Sequence, residues 1–154
     1  MKGNRKGQAA LDFLMTYGWA IALVVIIAAT LFALGVFDVS NFVGSKAAGF
    51  SGVAVSAWRM DPAGTFTLQL NNQAGVKARV DYINVTVAST TANVTGVPVT
   101  LNPGDSSGTL TTATGAFGAQ ATGTSYTAKV IIGYTDLNSN FAYVSSGTTT
   151  GKAA

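Results

Sequence analysis

The 154-residue chain contains no cysteine and no histidine, and all of its acidic residues are aspartate. It therefore has no disulfides, no thiolate or imidazole metal ligands, and no Ser/His or Cys/His nucleophile pair. The acids are scattered and define no catalytic constellation: Asp12, Asp38, Asp61, Asp81, Asp105 and Asp136. We expect no metal, no cofactor and no enzymatic activity, and an enzyme is the least favoured function class.

Charged residues are also few, at 10% of the chain, and the basic ones are unevenly placed. Lys2, Arg5 and Lys6 lie within the first six residues, and the other six basic side chains balance the six aspartates. The net charge of +3 thus belongs to the N-terminus. A basic patch that would bind nucleic acid is not predicted.

A long uncharged segment follows this basic start, from Phe13 to Phe37. As a helix with about 1.5 Å rise per residue, it is longer than the roughly 30 Å hydrocarbon core of a bilayer. Basic residues precede it and no comparable cluster follows, so the positive-inside rule predicts a single pass with the N-terminus in the cytoplasm. The sequence becomes mixed after Val36, and we expect the helix to end near Ala48 and Gly49.

Residues 50–154 alternate between apolar and polar positions, with many Thr, Gly and Ser, which predicts β-strands. The candidate strands are 53–58, 65–70, 76–87, 97–101, 126–134 and 141–144, with hairpin loops at 71–75 and 136–140. The alternation changes phase within 76–87, which indicates a bulge near Tyr82 and Ile83 that keeps both apolar sets inside. Residues 109–125 predict a long surface loop with Phe117 as its anchor.

The junction between leader and span carries the most specific signal. Gly7 provides a small, flexible residue before a peptide bond that a peptidase could cut. The run Lys6-Gly-Gln-Ala-Ala-Leu-Asp-Phe13, followed by the uncharged span, resembles the precursors of archaeal type IV pilins with class III signal peptides. A general secretory signal differs, because its apolar region is shorter and cleavage comes after it.

This resemblance implies that a dedicated prepilin peptidase cuts between Gly7 and Gln8 on the cytoplasmic side. It implies that the hydrophobic helix stays with the mature chain, that an assembly platform handles it, and that it packs in a filament core. The expected division is 1–7 cleavable leader, 8–49 hydrophobic helix, and 50–154 outer β-domain. The expected fold class is α+β, with the long helix preceding an antiparallel sandwich or partly closed barrel.

Asp12 is the fifth residue of such a mature chain, where bacterial relatives typically carry Glu. A carboxylate at the edge of an apolar span is costly unless it is paired, and the new α-amino group at Gln8 of a neighbouring subunit is a natural partner. The second interpretation is an acid that favours the positive end of its own helix dipole. The two interpretations are compatible.

Two N-x-[ST] motifs, at Asn84 and Asn93, are N-glycosylation acceptors if the domain is exported. Asn93 is expected in an exposed loop, and Asn84 on the outward face of a strand. Chance occurrence competes with this interpretation in a Thr-rich chain.

We therefore expect a pilin that polymerises with copies of itself, resides in the cytoplasmic membrane before assembly, and is extracellular afterwards in a filament that serves attachment. Two alternatives stay open. One is a subunit of the related archaeal swimming filament, the archaellum. The other is a single-pass membrane-anchored adhesin or binding module in which the bond between Gly7 and Gln8 is uncut.

Overall fold

The computed structural model describes residues 5–34 and 44–154, and the chain divides into two compact units, Met1–Phe42 and Val43–Ala154. The first unit contains one helix, α1, which spans Arg5–Ala33. Within it, Ala10–Ala33 is a 24-residue apolar stretch, in which a window of 18 consecutive residues has a mean hydropathy of 2.1 and includes no buried residue. At about 36 Å this stretch is long and apolar enough to cross a bilayer.

The helix is shorter at its C-terminal end than we expected. Its last residue is Ala33, and Lys46–Ala48 forms a strand, β1, so the prediction of helix up to Gly49 is wrong there. The backbone of β1 pairs with a distant strand, and Lys46 stands opposite Thr150. In β1 the backbone N–H and C=O groups find hydrogen-bond partners in this ladder, where a helix would have paired them internally. Such tertiary pairing overrides the local helix propensity. The intervening residues 35–43, including the end of the predicted span at Phe37, lie outside the described residues.

The second unit is a nine-stranded, antiparallel sheet that is nearly closed, like a barrel. Its strands are β1 Lys46–Ala48, β2 Val53–Met60, β3 Phe66–Asn72, β4 Ala78–Val87, β5 Thr90–Thr95, β6 Val99–Leu101, β7 Leu110–Thr112, β8 Ser125–Asp136 and β9 Ala142–Lys152. Their order is β1-β9-β8-β4-β5-β7-β3-β2, and β6 pairs with β4 beside this path. Near the gap, the indole Nε1–H of Trp58 on β2 donates to the carbonyl oxygen of Thr150 on β9 at 3.1 Å. The expected helix followed by an antiparallel β-unit is thus confirmed at this level.

The core of the β-unit is formed by its own strands. Each strand turns alternate side chains inward, as period-2 patterning requires. The apolar side chains that are at most 1% exposed are Val53, Met60, Phe66, Leu68, Leu70, Ala78, Val80, Ile83, Val85, Ala128, Val130 and Ile132. Because α1 contributes none of them, the β-unit has a core independent of the helix.

The predicted bulge in β4 is confirmed and lies at Asp81, one residue before the predicted place. Val80 pairs with Tyr134 of β8 and Tyr82 pairs with Gly133, so Asp81 is the extra residue. Ala78 and Val80 before the bulge are buried, as are Ile83 and Val85 after it. Tyr82 was expected inside and is instead 43% exposed, because the bulge turns its ring outward over Gly133, where a side chain would collide with it.

One of the two predicted hairpins is wrong. Residues 136–140 join β8 and β9, which pair along their length, as expected. Residues 71–75 instead connect β3 to β4, which are not neighbours in the sheet, so they form a crossover. Asn72 is buried there, and its amide Nδ2–H donates to the carbonyl oxygens of Val76 and Leu101 at 2.8 and 3.0 Å. The Asn72 hydrogen bonds thus hold the connection that leads from β3 to the non-adjacent strand β4.

Phe117 anchors the irregular segment after β7, as predicted. Its side chain is partly buried against the core, and its backbone N–H donates to the carbonyl oxygen of Gly64 at 3.0 Å. Further along, the N–H of Gln120 donates to the carbonyl oxygen of Pro62 at 2.8 Å. The expected loop therefore begins after β7, and three of its predicted residues, Leu110–Thr112, form that strand.

Candidate assembly and modification sites

The Gly7–Gln8 junction lies in the first turn of α1, two residues after the helix begins at Arg5. The first turn has N–H groups without helical partners and frays readily, and glycine lowers helix stability by about 1 kcal/mol relative to alanine. An extended backbone at this junction thus requires the unwinding of only one terminal turn. A Cβ built on Gly7 would meet no atom within 4 Å, so the fold itself places no steric demand for glycine at this position.

The apolar surface of α1 is exposed on every side. Its exposed large side chains range from Leu23 at 47% to Met15 at 80% exposure. The two threonine hydroxyls of the helix are satisfied internally, because Thr16 and Thr30 each donate to the carbonyl oxygen four residues earlier at 2.7 Å. Hence the middle and end of α1 present an apolar surface without unpaired threonine hydroxyl groups, which suits lipid or other helices.

A shallow groove on this helix is bordered by aromatic rings at one end. Phe13 and Tyr17 are one turn apart, with ring centroids separated by 4.7 Å. The groove continues along the same face past Ala20, Ile21, Val24 and Val25. It is a surface for apolar contact.

Asp12 lies nearly two turns into α1, and its side chain is exposed. No acidic residue occupies the first turn of the helix, because α1 begins in the basic leader. In the intact chain Asp12 therefore lies beyond the first turn, where the effect of the helix dipole fades. Cleavage after Gly7 would make Asp12 the fifth residue, so the dipole interpretation stays a prediction for the processed chain. Thr16 hydrogen-bonds the main-chain oxygen of Asp12 rather than its carboxylate.

The two glycosylation motifs meet on adjacent strands. Asn84 of β4 and Asn93 of β5 are direct register partners in an antiparallel ladder. Asn93 is exposed, but it lies in a strand, so its expected position in a loop is wrong. Asn84 is half-buried on β4, which β8 flanks on the other side. Directly opposed residues have Cβ atoms about 4.5–5.5 Å apart, so the two acceptors compete for one volume.

Asp81 at the bulge belongs to a small polar cluster. Its Oδ1 pairs with Nε of Arg79 at 2.7 Å, and its Oδ2 accepts a hydrogen bond from Oγ1 of Thr135 at 2.6 Å. The Thr135 hydrogen bond is the largest cause that lowers the pKa of Asp81; desolvation opposes it and Arg79 assists it. Exposed ion pairs contribute little to the free energy of unfolding, so we interpret this cluster as part of the solvent-facing surface. The hydrogen bond from Thr135 links the bulge to β8.

Within residues 5–34 and 44–154, no three side chains of the types that bind metal lie close enough together to hold an ion. A comparison with protein-family models and with curated proteins found no match to this chain.

Proposed function

We propose that this chain is the structural subunit of an archaeal type IV pilus-like surface filament, which serves attachment. The observation that carries the proposal is α1 itself. The Gly-Gln junction follows basic residues in its first turn, its later residues form a long apolar span, and a β-unit with its own core follows it in the chain. An isolated helix of this kind is unfavourable in water by about 25 cal/mol per Å² of apolar area. It needs either lipid or neighbouring helices.

The proposed pathway uses both environments in turn. The precursor sits in the cytoplasmic membrane with its N-terminus inside and its β-unit outside, because the positive charge precedes the span. A prepilin peptidase removes Met1–Gly7, and an assembly platform moves the helix from lipid into a homopolymer. The helix keeps apolar contacts throughout, so transfer from lipid to the filament core does not require it to enter water.

The test of this proposal is mass spectrometry of wild-type protein sheared from the cell surface, combined with electron microscopy of the sheared material. We expect filaments whose subunits begin at Gln8. A surface chain that begins at Met1 and forms no filaments would instead identify an anchored adhesin. Loss of swimming rather than of attachment on deletion of the chain would identify an archaellum subunit.

We also propose that the exported domain is N-glycosylated at Asn93 and, because of the opposed geometry, carries at most one glycan at the Asn84/Asn93 pair. Asn93 is the more exposed acceptor, and a glycan there covers its register partner. In a glycosylating archaeal host, the wild type and Asn84→Gln should carry one glycan mass, and Asn93→Gln should lose it. Glycopeptide mass spectrometry measures this directly. Simultaneous occupancy of both sites, or a bare wild-type mass, would contradict the prediction.

A further inference from the structure

The two proposed glycan acceptors lie beside an apolar strip on the outer face of the sheet, the face to which Asn84 points. In one row across the strands, Asn84 of β4 pairs with Asn93 of β5 on one side and with Ile131 of β8 on the other. Asn93 is exposed, whereas Asn84 and Ile131 are half-buried. The neighbours of Asn84 along β4, Ile83 and Val85, are buried in the core, so this row faces solvent.

The next row across the same strands brings a tyrosine ring beside the acceptors. Tyr82 pairs with Gly133, and Gly133 pairs with Val144 of β9. Residues two apart on a strand share a face, so Tyr82 lies on the same side of the sheet as Asn84. The side chain of Tyr82 is 43% exposed and that of Val144 60%. Together with Ile131 these two side chains form an apolar surface on the outer face, which we call the outer patch.

The ring of Tyr82 has a fixed place in the outer patch. A Cβ built on Gly133 would collide with three carbons of this ring, so the ring lies over the glycine backbone. The bulge at Asp81 sets this direction, and the hydrogen bond from Thr135 to the Asp81 carboxylate, at 2.6 Å, holds the bulge to β8. A side chain that packing already orders loses little conformational entropy when a ligand settles on it.

A glycan on Asn93 is within reach of the outer patch. Neighbouring strands lie about 4.8 Å apart and residues two apart on a strand about 6.8 Å, so Tyr82 and Ile131 lie roughly 8–10 Å from Asn93. The first sugars of an N-linked chain span this distance. A pyranose ring carries C–H groups on its faces, and the electron-rich face of a tyrosine ring attracts such groups.

We infer that the glycan on Asn93 folds back over Asn84 and rests its first sugars on the outer patch, with the ring of Tyr82 as the stacking surface. The acceptor in the adjoining row is what identifies the occupant of the patch as the chain's own carbohydrate. Exposed apolar patches promote association, and a sugar cover would keep this face of an exported domain soluble. The inference rests on the proposed function, because only an exported and glycosylated domain carries this glycan.

Chemical labelling of tyrosine tests the contact in the full-length chain, extracted in detergent from a glycosylating archaeal host. N-Acetylimidazole acetylates exposed tyrosine hydroxyls, and peptide mass spectrometry measures the extent at each residue. Tyr82 should be labelled about threefold less in the glycosylated wild type than in Asn93→Gln, because an aromatic contact of ordinary strength keeps the ring covered most of the time.

Two matched controls accompany this measurement. Tyr143 is 47% exposed, and its pairing with Tyr134, the residue after Gly133, places it on the opposite face of the sheet. Its labelling should therefore be equal with and without the glycan. Asn84→Gln keeps the glycan on Asn93 and should keep Tyr82 protected.

Thermal unfolding of the same material, followed by circular dichroism, separates stacking from simple shielding. Asn93→Gln should unfold about 4 °C below the glycosylated wild type, a shift typical of one favourable contact in a domain of this size. This difference should vanish in the Tyr82→Ser background and persist in the Tyr143→Ser background. A purely structural role of the Tyr82 ring over Gly133 would lower both glycosylated and bare forms alike and leave the difference unchanged.

The outcomes distinguish this inference from the proposals on which it rests. Equal labelling of Tyr82 in the glycosylated wild type and in Asn93→Gln would overturn the inference and leave the glycosylation intact. The same holds for a glycan effect on unfolding that Tyr82→Ser does not change. Protection of Tyr82 in Asn93→Gln as well would show a different cover and also overturn it. A bare wild-type mass would overturn the proposed glycosylation together with the inference, while the filament proposal keeps its own test.

Discussion

Gly7→Leu is expected to leave the precursor uncut and to abolish filaments. A peptidase that reaches a bond in the first turn of α1 must accept the residue before that bond in a narrow site, and leucine fills the space that glycine leaves open. We expect processing to fall by more than about tenfold, a transition-state penalty of at least about 1.4 kcal/mol. The measurement is the ratio of chains that begin at Met1 to those that begin at Gln8, by mass spectrometry of membranes.

The structure separates this effect from misfolding. Open space surrounds Gly7, and leucine is a better helix former than glycine, so the substitution does not destabilise α1. Gly18 in the same helix has equally open surroundings, which makes Gly18→Leu the matched control and predicts normal processing. Gly7→Ala keeps the residue small and should still be cut. Complete processing of Gly7→Leu would exclude a size-selective peptidase at this junction.

The helix and the main strands could be predicted because their signals are local. An uncharged run marks α1, and the phase change in β4 marks the bulge, since both follow from the order of apolar residues. The outward position of Tyr82 was not predicted, because the order of residues in 76–87 groups it with the apolar side chains that face the core. Only the bulge at Asp81 and the pairing of Tyr82 with Gly133 turn Tyr82 outward beside the hairpin.

Features that depend on pairing partners could not be predicted. β1 is a three-residue strand with exposed side chains, so it has no alternating pattern, and its structure comes from the ladder with β9. The polar loop after β3 looks like a hairpin turn, but the buried amide of Asn72 fixes a crossover. The opposition of Asn84 and Asn93 likewise depends on register, which no single motif reveals.

Asp12→Ala is expected to give processed, membrane-bound protein with few filaments. Processing should persist because the junction is unchanged, whereas assembly should lose the ion pair that we propose between Asp12 and the α-amino group at Gln8 of a neighbouring subunit. Removing one partner of a buried ion pair costs about 3–5 kcal/mol, because the other charge stays desolvated and unpaired. The measurement is filament yield in sheared material against the amount of processed chain in membranes.

The surroundings of Asp12 favour an intermolecular role for its carboxylate. Its side chain is exposed on a helix whose neighbouring surface is apolar, and Thr16 donates to its main chain instead. Asp12→Glu is the matched control, because it keeps the charge and should restore filaments in part, while Asp12→Asn should behave like the alanine variant. Normal filaments from Asp12→Ala would remove the pairing role and leave the apolar faces of α1 to determine assembly.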